Sequence, residues 1–210
     1  MTAEHDSSQH HCSEHDAGRR TLLRVPLLAA VAGVLPALSA LAAAPAPTAH
    51  PAAPSDPARA FDFFLGTWQV RYRRLRERLM DNHDWEEFEG TCQTHPLFDG
   101  RANFDESTVR RPGLPYHGLG VRSYDPVTRT WADWWLDTRN PQRIDPPMIG
   151  GFADGVGTFY GEDDLRGAKV KVRGLWKDIS ADGLQWEQAY SADGGKSWET
   201  NWVSRYRRVG

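Results

Sequence analysis

LQWEQAYSADGGKSWETNWVSRY, residues 184–206, is the stretch whose reading decides the fold. Its first arm alternates Leu184, Trp186, Gln188 and Tyr190; its second alternates Trp198, Thr200, Trp202, Ser204 and Tyr206. Period-two alternation rich in aromatic residues describes pleated strands with one buried face, not helices. Between the arms, Asp193-Gly194-Gly195 supplies the positive-φ positions that a tight hairpin turn needs. The turn from Ser191 to Trp198 also matches the Asp-box pattern S-x-D-x-G-x-x-W. In that pattern Asp and Ser bond the turn backbone and Trp packs beneath. It staples a hairpin and carries no chemistry of its own.

Upstream, the same signals repeat. Gly66-Thr67-Trp68 opens a first strand, with Trp68, Val70 and Tyr72 on one face and Gln69, Arg71 and Arg73 on the other. Phe61–Leu65 before it reads as a short helical or irregular segment covering one end of the fold. Further strands are expected over 84–93, 103–110, 118–124, 130–137, 148–152, 155–161 and 168–179, ahead of the closing pair. Turn residues separate them at Asp99-Gly100, Asp125-Pro126, Asp154-Gly155, Arg166-Gly167 and Asp182-Gly183. Strands at such short, even spacing, with no sustained helical period, predict an all-β, antiparallel up-and-down barrel of about ten strands with few helices.

The spaced motifs FDFFLGTW (61–68), DWEEFEGT (84–91), NFDES (103–107), RSYDPVTRTWADWW (122–135), FADGVGTFYG (152–161) and WEQAYSADGGKSWETNW (186–202) resemble the bacterial family called domain of unknown function 1579. The resemblance covers 61–208 and implies a lipocalin-like (calycin) barrel. In such barrels the Trp of the G-x-W opening packs at the base under a basic residue of the last strand, a role open here to Arg205, Arg207 or Arg208. The family supplies no established reaction and no catalytic set.

The first sixty residues read as an address. Residues 1–18 are polar and His-rich. Arg19-Arg20, the apolar run Val25–Ala44 and the small residues Ala42-Ala43-Ala44 follow in the order of a twin-arginine export signal. The expected organisation is therefore a signal peptide at 1–44, a Pro- and Ala-rich linker at 45–60 and the barrel at 61–210. The twin-arginine export machinery is then a partner, and the destination is periplasmic or secreted. Pro26, Pro36 and abundant Ala make the apolar run a poor permanent membrane span. A formal net charge of −3 argues against a general nucleic-acid or membrane-surface binder.

Of the two cysteines, Cys12 falls in the leader, which leaves Cys92 alone and excludes an internal disulfide. Cys92 is either a nucleophile or thiol sensor, or a small buried hydrophobe on a strand; the second reading is the plainer one. His83, His95 and His117 sit singly in expected turns without metal-ligand spacing, so no metal and no cofactor is expected. The nitrobindins, a related barrel family, hold haem through one histidine, which would fall to His95 or His117. Glu86, Glu87, Glu89, Asp105, Glu106, Asp133, Asp137 and Glu187 offer carboxylates for acid–base work or for ion pairs on the sheet surface.

What remains is a set of aromatic and polar residues on alternating strands. Arg122, Trp135, Arg173, Trp176, Trp186, Glu187, Asn201 and Trp202 are the expected ligand-binding residues of a barrel cavity. Arg among Trp suits a small apolar or aromatic molecule bearing an anionic group. The rival is a cofactor-free isomerase, cyclase or hydrolase using Glu187, Asp105 or Arg122 in the same cavity. A carboxylate buried beside Arg, with a perturbed pKa, would favour the enzyme; an apolar lining with polar groups only at the rim would favour the binder. A third option is an assembly role through a sheet edge.

Overall fold

Ten antiparallel strands follow one another around a ring: β1 (Gly66–Leu75), β2 (Trp85–Leu97), β3 (Ala102–Val109), β4 (Tyr116–Asp125), β5 (Thr130–Asp137), β6 (Met148–Ala153), β7 (Val156–Leu165), β8 (Ala168–Lys177), β9 (Gly183–Ser191) and β10 (Glu199–Arg208). This is a computed structural model that describes residues 56–209. The expected signal peptide, Cys12 and most of the linker lie outside those residues. β1 pairs with β10 from Trp68↔Arg208 to Arg74↔Trp202, which closes the barrel. Closure removes the free edges that an assembly role through edge pairing would have needed. Among the described residues no helix is long and apolar enough to cross a membrane.

The expected alternation of the first strand is what the barrel uses. Trp68, Val70 and Tyr72 are buried in the interior, while Gln69 and Arg71 are exposed. Across the seam, Arg208 is the basic partner of Trp68, its guanidinium carbon 4.1 Å from the indole centroid. It also donates to the carbonyls of Leu65 at 2.7 Å, Phe63 at 2.8 Å and Ala181 at 2.7 Å. One guanidinium thereby ties the last strand to the segment before the first and satisfies backbone acceptors that no ladder reaches.

That segment plugs one end. A 3-10 turn over Pro57–Arg59 is capped by Asp56, whose carboxylate accepts from the Ala58 N–H at 2.9 Å. A second turn, Asp62–Phe64, inserts Phe61 and Phe64, each 1% exposed, into the barrel. Phe61 meets the rings of Trp131 and Phe152 edge-on at 4.9 Å, and Trp131 Nε1 donates to the Pro57 carbonyl at 3.0 Å. Ala58 and Ala60 are buried too, so the end of the stretch read as linker packs against the barrel. The opposite end carries the longer connections, 76–84 and 138–147, and stays open.

The closing hairpin is stapled as its sequence implies. Asp193 accepts from the N–H groups of Lys196 at 2.9 Å and Ser197 at 3.0 Å, and from the Ser191 hydroxyl at 2.7 Å. Trp198 Nε1 donates to the Gly195 carbonyl at 3.1 Å. These bonds hold the Asp193 carboxyl well below its usual pKa range, led by the Ser197 N–H. Gly194 and Gly195 have φ of +78° and +99°, which is why glycine fills both positions.

Candidate functional site

The strands enclose a cavity of about 390 Å³, within the roughly 300–1,000 Å³ range of small-molecule sites. Tyr72, Trp135, Trp176, Trp186, Trp202 and Tyr206 form its aromatic wall. The indole N–H groups fall into two pairs. Trp135 Nε1 donates to Asp137 at 2.9 Å and Trp202 Nε1 to the Ser204 hydroxyl at 3.0 Å. Trp176 Nε1 and Trp186 Nε1, by contrast, are buried without a partner, and their rings lie 6.4 Å apart. Unpartnered buried donors carry a desolvation cost that a ligand acceptor would remove.

At the closed end sits a charged cluster. Arg122, 2% exposed, forms an ion pair with Asp105 of β3, donates to Asn103 Oδ1 at 2.6 Å and stands 3.5 Å from Asp133 of β5. Its guanidinium carbon lies 5.0 Å from the Phe64 ring centroid and 5.8 Å from that of Trp176. Gly120, one rung away, has to be glycine: an added Cβ would meet Asp105 Oδ1 and fall 2.8 Å from Arg122 Nη1. Burial works against the charge on Arg122, and Asp105 and Asp133 outweigh it, holding its pKa above the ordinary value.

The two carboxylates differ. Asp105 also accepts from the Ser107 hydroxyl at 2.9 Å and from Cys92 Sγ at 3.5 Å, so with Arg122 it has three donors. Asp133 has Arg122 as its one side-chain partner among the described residues. Burial first, and then the Asp105 charge, push its carboxyl up to about 6 against the pull of Arg122. Cys92 is 1% exposed, and burial followed by Asp105 raises its thiol well above the ordinary range. It packs as a small hydrophobe rather than serving as a thiolate.

The open end is lined by groups of both signs. Arg139 donates to Asp137 at 3.0 Å, Arg143 lies 3.3 Å from Asp145, and Arg74 shares Glu86 with Arg111, each at 2.8 Å. Arg78 differs from these: it forms no direct ion pair among the described residues, its Nε is buried without a partner, and its guanidinium donates to the Tyr190 hydroxyl at 3.0 Å, which in turn donates to Asp163 at 2.5 Å. Burial, and then Arg74 beside it, lower its pKa from the ordinary value. A ligand carboxylate placed there would favour the charged guanidinium.

Of the eight expected ligand-binding residues, the barrel brings five to the cavity: Arg122, Trp135, Trp176, Trp186 and Trp202. Three corrections follow. Arg173 faces outward and lies over the Trp198 ring at 4.7 Å. Glu187 is also outside, 2.8 Å from Lys177 Nζ. Both are excluded by parity, because Trp176 and Trp186 take the inward positions on the same strands. Asn201 is fully buried at a bulge between Thr200 and Trp202, with neither amide atom partnered, and does not line the cavity. His95 and His117, expected in turns, sit on the outer faces of β2 and β4; His95 stacks on Phe104 at 5.2 Å and His117 Nδ1 is 3.3 Å from the Thr108 hydroxyl. Neither lines the cavity, so among the described residues the haem role has no histidine there.

Sequence reasoning missed Arg78 and singled out Asp133 only as one acid among eight. The signal for Arg78 was the run of Arg74, Arg76 and Arg78 at and just beyond the end of β1. For Asp133 it was the alternation Trp131-Asp133-Trp135, a lone acid between two inward tryptophans.

No protein-family model matches the chain, and no curated protein matches it. The resemblance to the domain of unknown function 1579 thus rests on the motifs quoted above. Ten chains of solved structures are similar. One is a de novo designed fluorescence-activating β-barrel, 16% identical, with a TM-score of 0.40 over 72% of this chain and 98% of the design. That likeness carries nothing about ligand or activity.

Proposed function

We propose that the barrel binds a small aromatic molecule bearing an anionic group. The supporting observation is the pairing of an aromatic wall that holds two unpartnered indole N–H donors with an unpaired guanidinium, Arg78, on the same cavity. In this reading the ring lies against Trp176, Trp186 and Trp202 and the anion meets Arg78 at the open end. Arg122 is not the anion's partner, because Asp105 and Asp133 already neutralise it. Titration with a panel of aryl carboxylates, phenylpyruvate among them, is expected to change tryptophan emission saturably. Arg78→Ala is expected to weaken binding about tenfold, the loss of roughly 1.4 kcal/mol from one partly exposed charge pair. A panel in which no compound alters emission would sink the reading.

The order of arginine pair, apolar run and small residues at 1–44 supports export and with it a periplasmic or secreted location, and the motifs support membership of the domain of unknown function 1579 family. Expression in a host with the twin-arginine pathway is expected to yield a processed protein beginning near Pro45. An N-terminal sequence that still starts at Met1 would refute this.

A further inference from the structure

We infer that Asp133 is a catalytic base for carbon-bound protons, which makes the cavity a site of cofactor-free keto–enol isomerisation on small aryl carbonyl compounds. The inference rests on the binding reading above, since the substrate occupies the same cavity. Three features of geometry carry it.

Asp133 lines the cavity, is 9% exposed, and has only Arg122 at 3.5 Å as a side-chain partner. A second carboxylate on the same guanidinium, Asp105, accepts from Ser107, Cys92 and Arg122, which leaves Asp133 as the one with more lone pairs to spare. On the other wall Trp176, 3% exposed, offers an unpartnered Nε1–H, and its ring lies 5.8 Å from the guanidinium of Arg122. A base on one side and a neutral hydrogen-bond donor on the other is the arrangement that proton abstraction beside a carbonyl requires.

The step balances without any co-reactant. A carboxylate oxygen of Asp133 takes the proton from the carbon next to the substrate carbonyl. The C–H electron pair becomes the carbon–carbon double bond, and the carbonyl π pair moves onto oxygen, where Trp176 Nε1 donates to it. Asp133 then returns the proton to that oxygen, giving the enol, or to carbon in the reverse direction. Arg122 beside the carboxylate keeps it from being held permanently in its acid form, while burial keeps it basic enough to act near neutral pH. The charged groups facing Asp133 are Arg122 from β4 and Asp105 from β3; its β6 partner, Met148, brings no charge.

Phenylpyruvate suits the test because it combines an aromatic ring, a carboxylate for Arg78 and an enolisable methylene. In deuterated buffer, loss of the methylene proton signal by NMR is expected to run at least ~100-fold faster with the protein than without it. Asp133→Asn, which keeps the size of the side chain, is expected to return exchange to near the buffer rate while phenylpyruvate still alters tryptophan emission. Trp176→Phe, which keeps the ring and removes the N–H, is expected to slow exchange about 10–100-fold. Exchange at the buffer rate in the unsubstituted protein overturns the proposal. If emission still responds, the binding reading survives alone; if it does not, both fall. Asp133→Asn with undiminished exchange also overturns the proposal.

Discussion

Arg122→Met is expected to lower the unfolding free energy by about 3–5 kcal/mol, the range seen when one partner of a buried ion pair is removed. Arg122 is 2% exposed and, among the described residues, is the one cation paired with Asp105 and Asp133 at the closed end of the barrel. Methionine fills much of the same volume, so the loss reports uncompensated carboxylates more than a cavity. The ring contacts to Phe64 at 5.0 Å and Phe61 at 5.6 Å lose their cation as well. Adding Asp105→Asn to the same chain is expected to recover part of the loss, because it removes one stranded charge. Urea unfolding followed by tryptophan emission measures both. A cost for Arg122→Met below about 1 kcal/mol would mean that water reaches the cluster and solvates the acids.

Asp133 gives the second large effect, and its sign is opposite to that of most acids. Its folded pKa of about 6 stands above the roughly 3.9 of an unfolded aspartate. The folded chain therefore binds this proton more tightly than the unfolded chain. Its contribution to stability is fully present below about pH 4 and is lost as pH rises through 6, to a total of about 3 kcal/mol. Glu86 and Asp137 pull the other way, since their pKa values are lowered in the fold despite burial, by Arg74 and Arg111 in one case and Arg139 in the other. The difference between the protein and Asp133→Asn isolates the single group. Asparagine is expected to raise stability by about 2–3 kcal/mol at pH 8 and by little near pH 4. A difference that stays flat between pH 4 and 8 would refute the raised pKa. A side chain that costs stability at neutral pH and yet faces a cavity fits a functional group better than a structural one.

Much of the barrel was legible because period two is written locally. Trp68, Val70 and Tyr72 announce the inner face of β1, and Ser191 to Trp198 announces the last turn without help from any distant residue. The cavity residues were harder for a reason also found in the alternation. Arg173 and Trp176 have opposite parity on β8, and Trp186 and Glu187 are neighbours on β9, so each pair can supply only one inward side chain. Taking the tryptophans as inward would have removed Arg173 and Glu187 from the site. Asn201 escaped the rule because a bulge interrupts the register beside it.

The chain by itself determined a closed antiparallel barrel, the stapled hairpin at 184–206 and the aromatic character of the interior. All three depend on backbone geometry and on neighbours within a few positions. Only the tertiary structure decided which charges are spent. Arg122 is neutralised by Asp105, seventeen residues away, while Arg78 has the Tyr190 hydroxyl, 112 residues away, in place of an acid. Coulomb interactions act through space and are indifferent to sequence distance, so the free arginine and the under-partnered aspartate emerge only once ten strands have closed around them.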